Sequence, residues 1–228
     1  MPTNHLQAKI GGLLADYRTI AELIAGQPKF LPEVFAGLDA DKARIKYSCL
    51  KVIRLVSETH PAVLYPEFER IVRLLEVENA PIKWGAIVII GNLAAVDAEK
   101  KIDGILDRYL RPVSEHDLIT AGNVVNGAAK IAQARPELAD RIAGALLQIE
   151  KAQYQTAECR NVALGHAVQS LGLFFGHIRD AKPVIAFVER QLGNRRDAVR
   201  HKAAVFLKRH GRTPPAAPAD ESRQRRRK

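Results

Sequence analysis

A stripe of amide, imidazole and ammonium side chains is the part of the sequence best equipped to bind a ligand through hydrogen bonds. Asn123, Asn126 and Lys130 are spaced i, i+3 and i+7, so they share one face if their segment is helical. His166 falls at the equivalent of Asn126 one period later. The complete stripe consists of Asn92, Asn123, Asn126, Lys130, His166 and Gln169.

Two structural outcomes are open for this stripe. Buried amides without partners cost about 1–3 kcal/mol each, so they should either bond one another across neighbouring segments or face a solvated groove. Tyr47 and Trp84 share a column in adjacent segments. Such aromatic side chains either anchor a partner peptide or pack between helices. Trp84 is therefore a candidate anchor beside the stripe.

Catalytic patterns are missing from the sequence. A general base at His166 would need an orienting group, and no carboxylate lies in the neighbouring columns. Cys159 stands seven residues from His166, about 10 Å along a helix, and at an apolar position where an inert buried thiol is expected. No HExxH, paired Cys-x-x-Cys, P-loop or GxGxxG occurs. We therefore expect no enzymatic activity, no metal and no cofactor.

Positive charge is concentrated at the C-terminal end. The stretch from Arg195 to Lys228 has twelve Lys/Arg and three Asp/Glu, and so carries +9 of the net charge of +10. Such density attracts phosphate backbones through counterion release. Aromatic residues that would stack on bases are not interleaved there, so sequence-specific reading is not expected. The candidate nucleic-acid contacts are Arg195, Arg196, Arg200, Lys202, Lys208 and Arg209.

The elements that must position these residues recur along the chain. Small and apolar residues return at i, i+4, i+5 and i+8 in five segments, which is the pattern of a helix with one buried face. The segments follow one another at 37 to 40 residues and predict helices that begin near residues 44, 81, 118, 158 and 198. The first core column holds Ile45, Ile82, Ile119, Cys159 and Val199.

Candidate capping residues support these helix starts. Asp117 and Asp197 stand just before two of the segments, and their carboxylates can accept from free backbone N–H groups. Asn79 and Thr156 stand one residue earlier in two other segments. An upstream helix precedes each later segment, so the unit is a helical hairpin. No stretch shows the sustained alternation of a β-strand.

Helix pairs with this spacing resemble the HEAT family over about residues 28–211, most specifically in the run from Asp197 to Arg200. The resemblance implies an all-α fold, a right-handed α–α superhelix of about five hairpins whose second helices line the concave side. It also implies a ladder of Asp and Arg/Lys side chains between repeats. Thr120 replaces a base in this ladder, so we expect it to be incomplete. The basic column is Lys46, Lys83, Arg160 and Arg200, interpreted as bonding between repeats.

The chain divides into three parts on these grounds. Residues 1–27 are expected to form an N-terminal cap helix or helices, and residues 213–228 a disordered basic tail. The hairpins are placed at about 28–64, 65–101, 102–138, 139–180 and 181–212. The N-terminus lacks a secretory signal and no apolar run could cross a bilayer, so a cytoplasmic location is predicted.

These features predict a non-enzymatic scaffold that binds an unidentified protein or peptide on its concave second-helix surface. The alternative is a protein that binds nucleic-acid phosphates without sequence specificity through its basic C-terminal helix and tail. A further alternative is a HEAT-like DNA glycosylase for alkylated bases. That family requires a basic channel with aromatic and acidic residues, whereas Trp84 has no nearby carboxylate in its helix and residues 1–194 carry little net charge.

Overall fold

A computed structural model describes residues 5–12 and 15–211, which form helices and short connections without a β-strand in these ranges. The N-terminal part contains α1 (His5–Ile10) and α2 (Tyr17–Gly26). Asp16 caps α2, since its carboxylate accepts from the backbone N–H groups of Arg18 and Thr19. Residues 1–4 and 13–14 of the predicted cap, and the predicted tail at 213–228, lie outside the described residues.

Successive helix pairs follow α2. In each pair a shorter first helix, often extended by a 3₁₀ turn, is followed by a longer second helix. The pairs are α3 (Leu31–Ala36) with α4 (Ala43–Thr59), α5 (Pro61–Leu64) and α6 (Phe68–Arg73) with α7 (Ala80–Leu93), α8 (Lys101–Leu110) with α9 (Leu118–Ala134), α10 (Ala139–Leu147) with α11 (Ala157–Phe174), and α12 (Lys182–Arg190) with α13 (Asp197–His210).

The second helices begin within one residue of the predicted positions. Three predicted caps are confirmed, because Asn79, Asp117 and Thr156 each accept a hydrogen bond from a backbone N–H of the first turn. The prediction for Asp197 is wrong. Arg196 has the extended backbone of the N-cap position, so Asp197 is the first helical residue and pairs with Arg200 one turn later.

The predicted register of the third segment is wrong by one residue. Ile119 is 54% exposed, whereas Thr120 and Ala121 are buried. The Thr120 hydroxyl donates to Asp117 and accepts from the Trp84 indole N–H at 2.8 Å, which turns this polar residue inward. Cys159 is half-buried, so its assignment to the core is also wrong.

The second helices form the inner row of a curved stack. Helices α4, α7, α9, α11 and α13 pack side by side in chain order and more extensively than the first helices do. The closer row of a curved solenoid is its concave side. Gly91 and Gly127 allow α7 and α9 to approach, since a Cβ on Gly91 would lie 2.9 Å from the Gly127 Cα. A Cβ on Gly127 would overlap the buried Tyr109 hydroxyl, which donates to the Ile87 carbonyl.

Mixed polar contacts replace the ladder that the HEAT resemblance implies. Asn79 donates to the Tyr47 hydroxyl between α7 and α4, and Arg196 pairs with Glu158 between α13 and α11. Within the described part of the chain, the predicted basic column makes no ion pair between hairpins, because Arg200 bonds inside its own hairpin. The other members of that column are Lys46, Lys83 and Arg160.

A buried charge cluster joins the second and third hairpins at the edge of the stack, and sequence reasoning did not find it. Arg135 at the end of α9 contacts Asp97 at 2.6 Å, Asp103 at 2.7 Å and Glu137 at 2.6 Å. The Arg135 side chain is 9% exposed and that of Asp97 is fully buried. Asp97 also accepts from the Tyr65 hydroxyl and from two backbone N–H groups. Every oxygen of this buried carboxylate is therefore satisfied.

Candidate functional site

The concave surface consists of two columns of side chains on the second helices. Positions nine and thirteen of a helix are four residues apart and therefore lie on the same face. Most of these side chains are exposed or half-buried, although the helices that carry them are packed on both flanks. Counted from each second-helix start, position nine is Lys51, Val88, Asn126, Gly165 and Val205. Position thirteen is Leu55, Asn92, Lys130, Gln169 and Arg209.

The one-residue shift in α9 changes the alignment of the predicted stripe. Lys130 belongs to the same column as Asn92 and Gln169. The predicted equivalence of His166 and Asn126 is wrong, since His166 corresponds to Gly127 by helix position. Four residues of the stripe therefore fall in the two columns: Asn92, Asn126, Lys130 and Gln169. Asn123 at position six of α9 and His166 at position ten of α11 lie outside both columns.

Part of the stripe is a hydrogen-bonded chain across three second helices. The Lys130 ammonium donates to the Asn92 side-chain oxygen at 2.5 Å, and the Asn92 amide donates to the Ser57 hydroxyl at 2.8 Å. Ser57 in turn donates to the Arg54 carbonyl. The sequence left open whether these polar side chains bond between neighbouring segments or face a solvated groove. Ser57, Asn92 and Lys130 bond between segments, and they hold α4, α7 and α9 in register.

The other amides of the stripe are not engaged between helices. Asn123 donates to the Ile119 carbonyl in its own helix at 2.9 Å. Asn126 and Gln169 are exposed, and neither side chain has a hydrogen-bond partner among the described residues. Their donors and acceptors face solvent on the concave side, where they can bind a backbone or side chain of a partner.

His166 is a half-buried imidazole. Its burial lowers its pKa, and the nearby positive charges of Lys202 and Arg196 lower it further. The pKa of Lys202 is also lowered by burial and by Arg196. Among the described residues, no carboxylate is bonded to His166, so this imidazole lacks the orienting group that a general base needs.

Trp84 is held within the stack. It is half-buried, and its indole N–H is occupied by the Thr120 hydroxyl on α9. Tyr47 is more exposed and accepts a hydrogen bond from Asn79. The contacts of Trp84 are therefore those of a side chain that packs between helices, and not those of an anchor for a partner peptide.

The basic residues at the C-terminal end do not form one patch. Arg196 is paired with Glu158, and Arg200 with Asp197. Lys208 and Arg209 lie at the opposite end of α13 from Arg196, about 18 Å away at 1.5 Å per helical residue. Two of these cations are therefore already engaged with carboxylates, and the others are spread along the length of the helix.

Two apolar side chains on the concave side were missed because apolar residues at helical spacing normally indicate a core. Leu173 near the end of α11 is 55% exposed and Val205 on α13 is 49% exposed. The signal available in the sequence was the placement of Val205 on the same face as the polar stripe.

In the described residues, no helix combines the length and apolarity needed to span a bilayer, and no group of three potential metal ligands occurs.

Comparisons with known proteins identify the fold. No protein-family model and no curated protein matches the chain. Two engineered proteins, both Northeast Structural Genomics Consortium targets, align with TM-scores of 0.52 and 0.55 at 14% and 15% identity. Each alignment covers 90% of this chain, and 96% and 98% of the respective engineered chain.

A designed armadillo repeat protein in complex with the peptide (KR)4 is also similar in structure. It aligns with a TM-score of 0.53 at 12% identity, over 91% of this chain and 99% of the designed chain. The predicted all-α solenoid of HEAT or armadillo type is thereby confirmed at the level of the fold.

Proposed function

We propose that this chain is a non-enzymatic scaffold that binds a segment of another protein along its concave surface. The observation that carries this proposal is the alignment of unpaired, solvent-facing side chains on a rigid inner row, represented by Asn126, Gln169 and Val205. Each hairpin is taken as one repeat unit, so the chain offers the same two positions to a partner several times in succession.

The dimensions of the inner row suit an extended peptide. Neighbouring helices pack about 9 Å apart, so the five second helices span roughly 36 Å. An extended peptide advances about 3.3 Å per residue, and about eleven residues would cross the row. One structural neighbour is in complex with a peptide. We therefore propose that this chain also recognises its partner as a peptide segment. The sequence of the peptide bound by the neighbour is not part of this proposal.

The partner is expected in a reducing compartment such as the cytoplasm. Cys49 and Cys159 are free thiols on separate hairpins, and the packed stack holds them apart. A scaffold that keeps free thiols suits a reducing environment.

Site-specific photo-crosslinking in cells that express the protein tests this proposal. A benzophenone amino acid would replace Lys51 or Asn126 on the concave side, and Glu69 or Glu189 on exposed positions of first helices as matched controls. We expect covalent protein adducts from the concave positions and none from the controls. Mass spectrometry of the joined peptide then identifies the bound segment.

Two results would contradict the proposal. Equal adducts from both faces would show that the concave surface is not selective, and adducts that disappear after nuclease treatment but survive protease would assign binding to nucleic acid. No contact described above favours nucleic acid over a protein segment, because Arg196 and Arg200 are already paired with carboxylates.

A further inference from the structure

The C-terminal end of the concave surface has a groove with its own chemistry. It lies between α11 and α13 and is lined by apolar side chains and by cationic or imidazole groups. We propose that this groove, called the α11/α13 groove below, docks an acidic segment of the partner protein that carries a large apolar anchor residue. This inference rests on the proposed function, since it names the chemistry of the segment that the scaffold would bind.

The apolar part of the groove is open to solvent. Leu173 and Val205 are two of the few large apolar side chains with about half of their surface exposed. Beneath them, Phe206 is buried and packs edge-on against Phe175 at a ring separation of 5.2 Å. An apolar residue of the partner that docks here would cover both exposed side chains and remove them from water, which favours binding. The floor is rigid because its aromatic rings belong to the core.

The polar part of the groove carries only one sign of charge. Lys202 and Arg209 line it together with His201 and His210, and no carboxylate is among the lining residues. Neither Lys202 nor Arg209 forms an ion pair within the described residues. Complementary charge steers association and sets partner choice, so these groups favour an anionic segment.

A buried nitrogen beside the groove lacks a hydrogen-bond partner. The Nε2 atom of His210 is inaccessible to solvent and lacks a partner among the described residues. The His210 ring packs at a tilt against Phe175 and Phe206, with centroids 4.7 and 4.8 Å away. Buried polar atoms normally find partners, so a docked segment would bond to this nitrogen only if the His210 side chain turned towards the groove.

Two other cations of the last hairpin are paired with carboxylates. Arg190 on α12 forms two bonds with Glu150, and Arg196 at the start of α13 is paired with Glu158. The C-terminal segment of the chain itself is a poor occupant, because residues 212–228 contain six Lys/Arg and two Asp/Glu. Its positive charge would be repelled by Lys202 and Arg209, so an acidic segment of another protein fits better.

Fluorescence anisotropy with defined peptides tests the groove on the full-length protein. The probe is a fluorescein-labelled peptide of about twelve residues, rich in Asp and Glu, with a Leu and a Phe about four residues apart. One control peptide has Ser in place of Leu and Phe, and a second has Lys in place of the acidic residues. We expect the probe to bind at least about tenfold more tightly than either control peptide, as charge and apolar contact are both required.

Variants of exposed residues locate the binding site. Arg209→Glu, and separately the pair Leu173→Ser with Val205→Ser, should each weaken probe binding by about tenfold or more. Arg195→Glu is the matched control, since it changes the net charge equally but lies about 20 Å away, beyond the opposite end of α13. It should alter affinity by less than about twofold. Circular dichroism confirms that each variant is folded.

The outcomes separate this inference from the proposed function. Equal probe affinity for Arg209→Glu and the unaltered protein, or equal binding of the Lys-containing peptide, would overturn the acidic-segment assignment even where crosslinks still map to the concave side. An oligonucleotide that displaces the probe and binds more tightly would also overturn it. Loss of the concave crosslinks would remove the proposed function itself.

Discussion

The Asp97–Arg135 cluster and the α11/α13 groove place charged groups between neighbouring hairpins in opposite ways. In the cluster, one buried guanidinium is surrounded by three carboxylates, and the buried carboxylate of Asp97 has a donor for each oxygen. In the groove, half-buried Lys202 and exposed Arg209 lie beside exposed apolar side chains, and no carboxylate is among the lining residues. Charge that is satisfied internally stabilises the stack, whereas unsatisfied charge on a rigid surface is available to a partner.

The largest expected effect comes from breaking the cluster. Arg135→Met would leave Asp97 buried without its counterion, and removing one partner of a buried pair destabilises by about 3–5 kcal/mol. Urea unfolding followed by circular dichroism measures the loss. Arg141→Met is the control, because Arg141 pairs with Asp107 on an exposed surface and should cost less than about 1 kcal/mol. Equal losses in the two variants would mean that the cluster does not stabilise the stack.

The next effect concerns the contact between the central inner helices. Gly127→Ala places a methyl group against the Tyr109 hydroxyl and should destabilise the protein by about 1–3 kcal/mol through overpacking. Gly122→Ala in the same helix meets open space and should be neutral or stabilising. Thermal unfolding compares them.

A double variant shows whether this steric contact is the cause. Tyr109→Phe removes the overlapping hydroxyl, so Gly127→Ala should cost less in that background than in the unaltered protein. If the two substitutions add without interaction, the tight approach of α7 and α9 is not limited by Tyr109.

These features differ in how far sequence alone could predict them. Helix starts and the caps at Asn79, Asp117 and Thr156 depend on contacts within a few residues, so they were predictable. The register of α9 depends on the bond between Thr120 and Trp84, which are 36 residues apart. A pattern of apolar residues favours Ile119 over Thr120 because it contains no information about that bond.

The Asp97–Arg135 cluster and the α11/α13 groove could not be predicted from the sequence, for related reasons. Asp97 and Arg135 are 38 residues apart and meet only when the hairpins stack. Leu173 and Val205 follow the apolar spacing of a helix, and whether such residues are covered depends on the neighbouring helices. The candidate polar stripe was found because its residues share a helix face, but the chain from Lys130 through Asn92 to Ser57 required the structure.

A smaller effect involves protonation beside the groove. His166 has a lowered pKa in the folded protein, owing first to burial and then to Lys202 and Arg196. As pH falls through the ordinary histidine range near 6.5, the unfolded chain takes up a proton first, so this residue makes stability decline towards acid. Unfolding of the unaltered protein and of His166→Gln between about pH 7.5 and 5.5 checks the sign. The variant should show a shallower decline, and an equal or steeper one would contradict the pKa shift.

The smallest effect on stability is expected from the groove itself, and it separates binding from folding. Leu173→Ser with Val205→Ser alters side chains that are half-exposed, so the free energy of unfolding should change by less than about 1 kcal/mol. Leu171→Ser, two residues from Leu173 but fully buried, should cost several kcal/mol as a matched control. If the groove variant lost as much stability as the control, Leu173 and Val205 would belong to the core. Unchanged stability with weakened binding of the acidic probe would instead show that their exposure is retained for a partner.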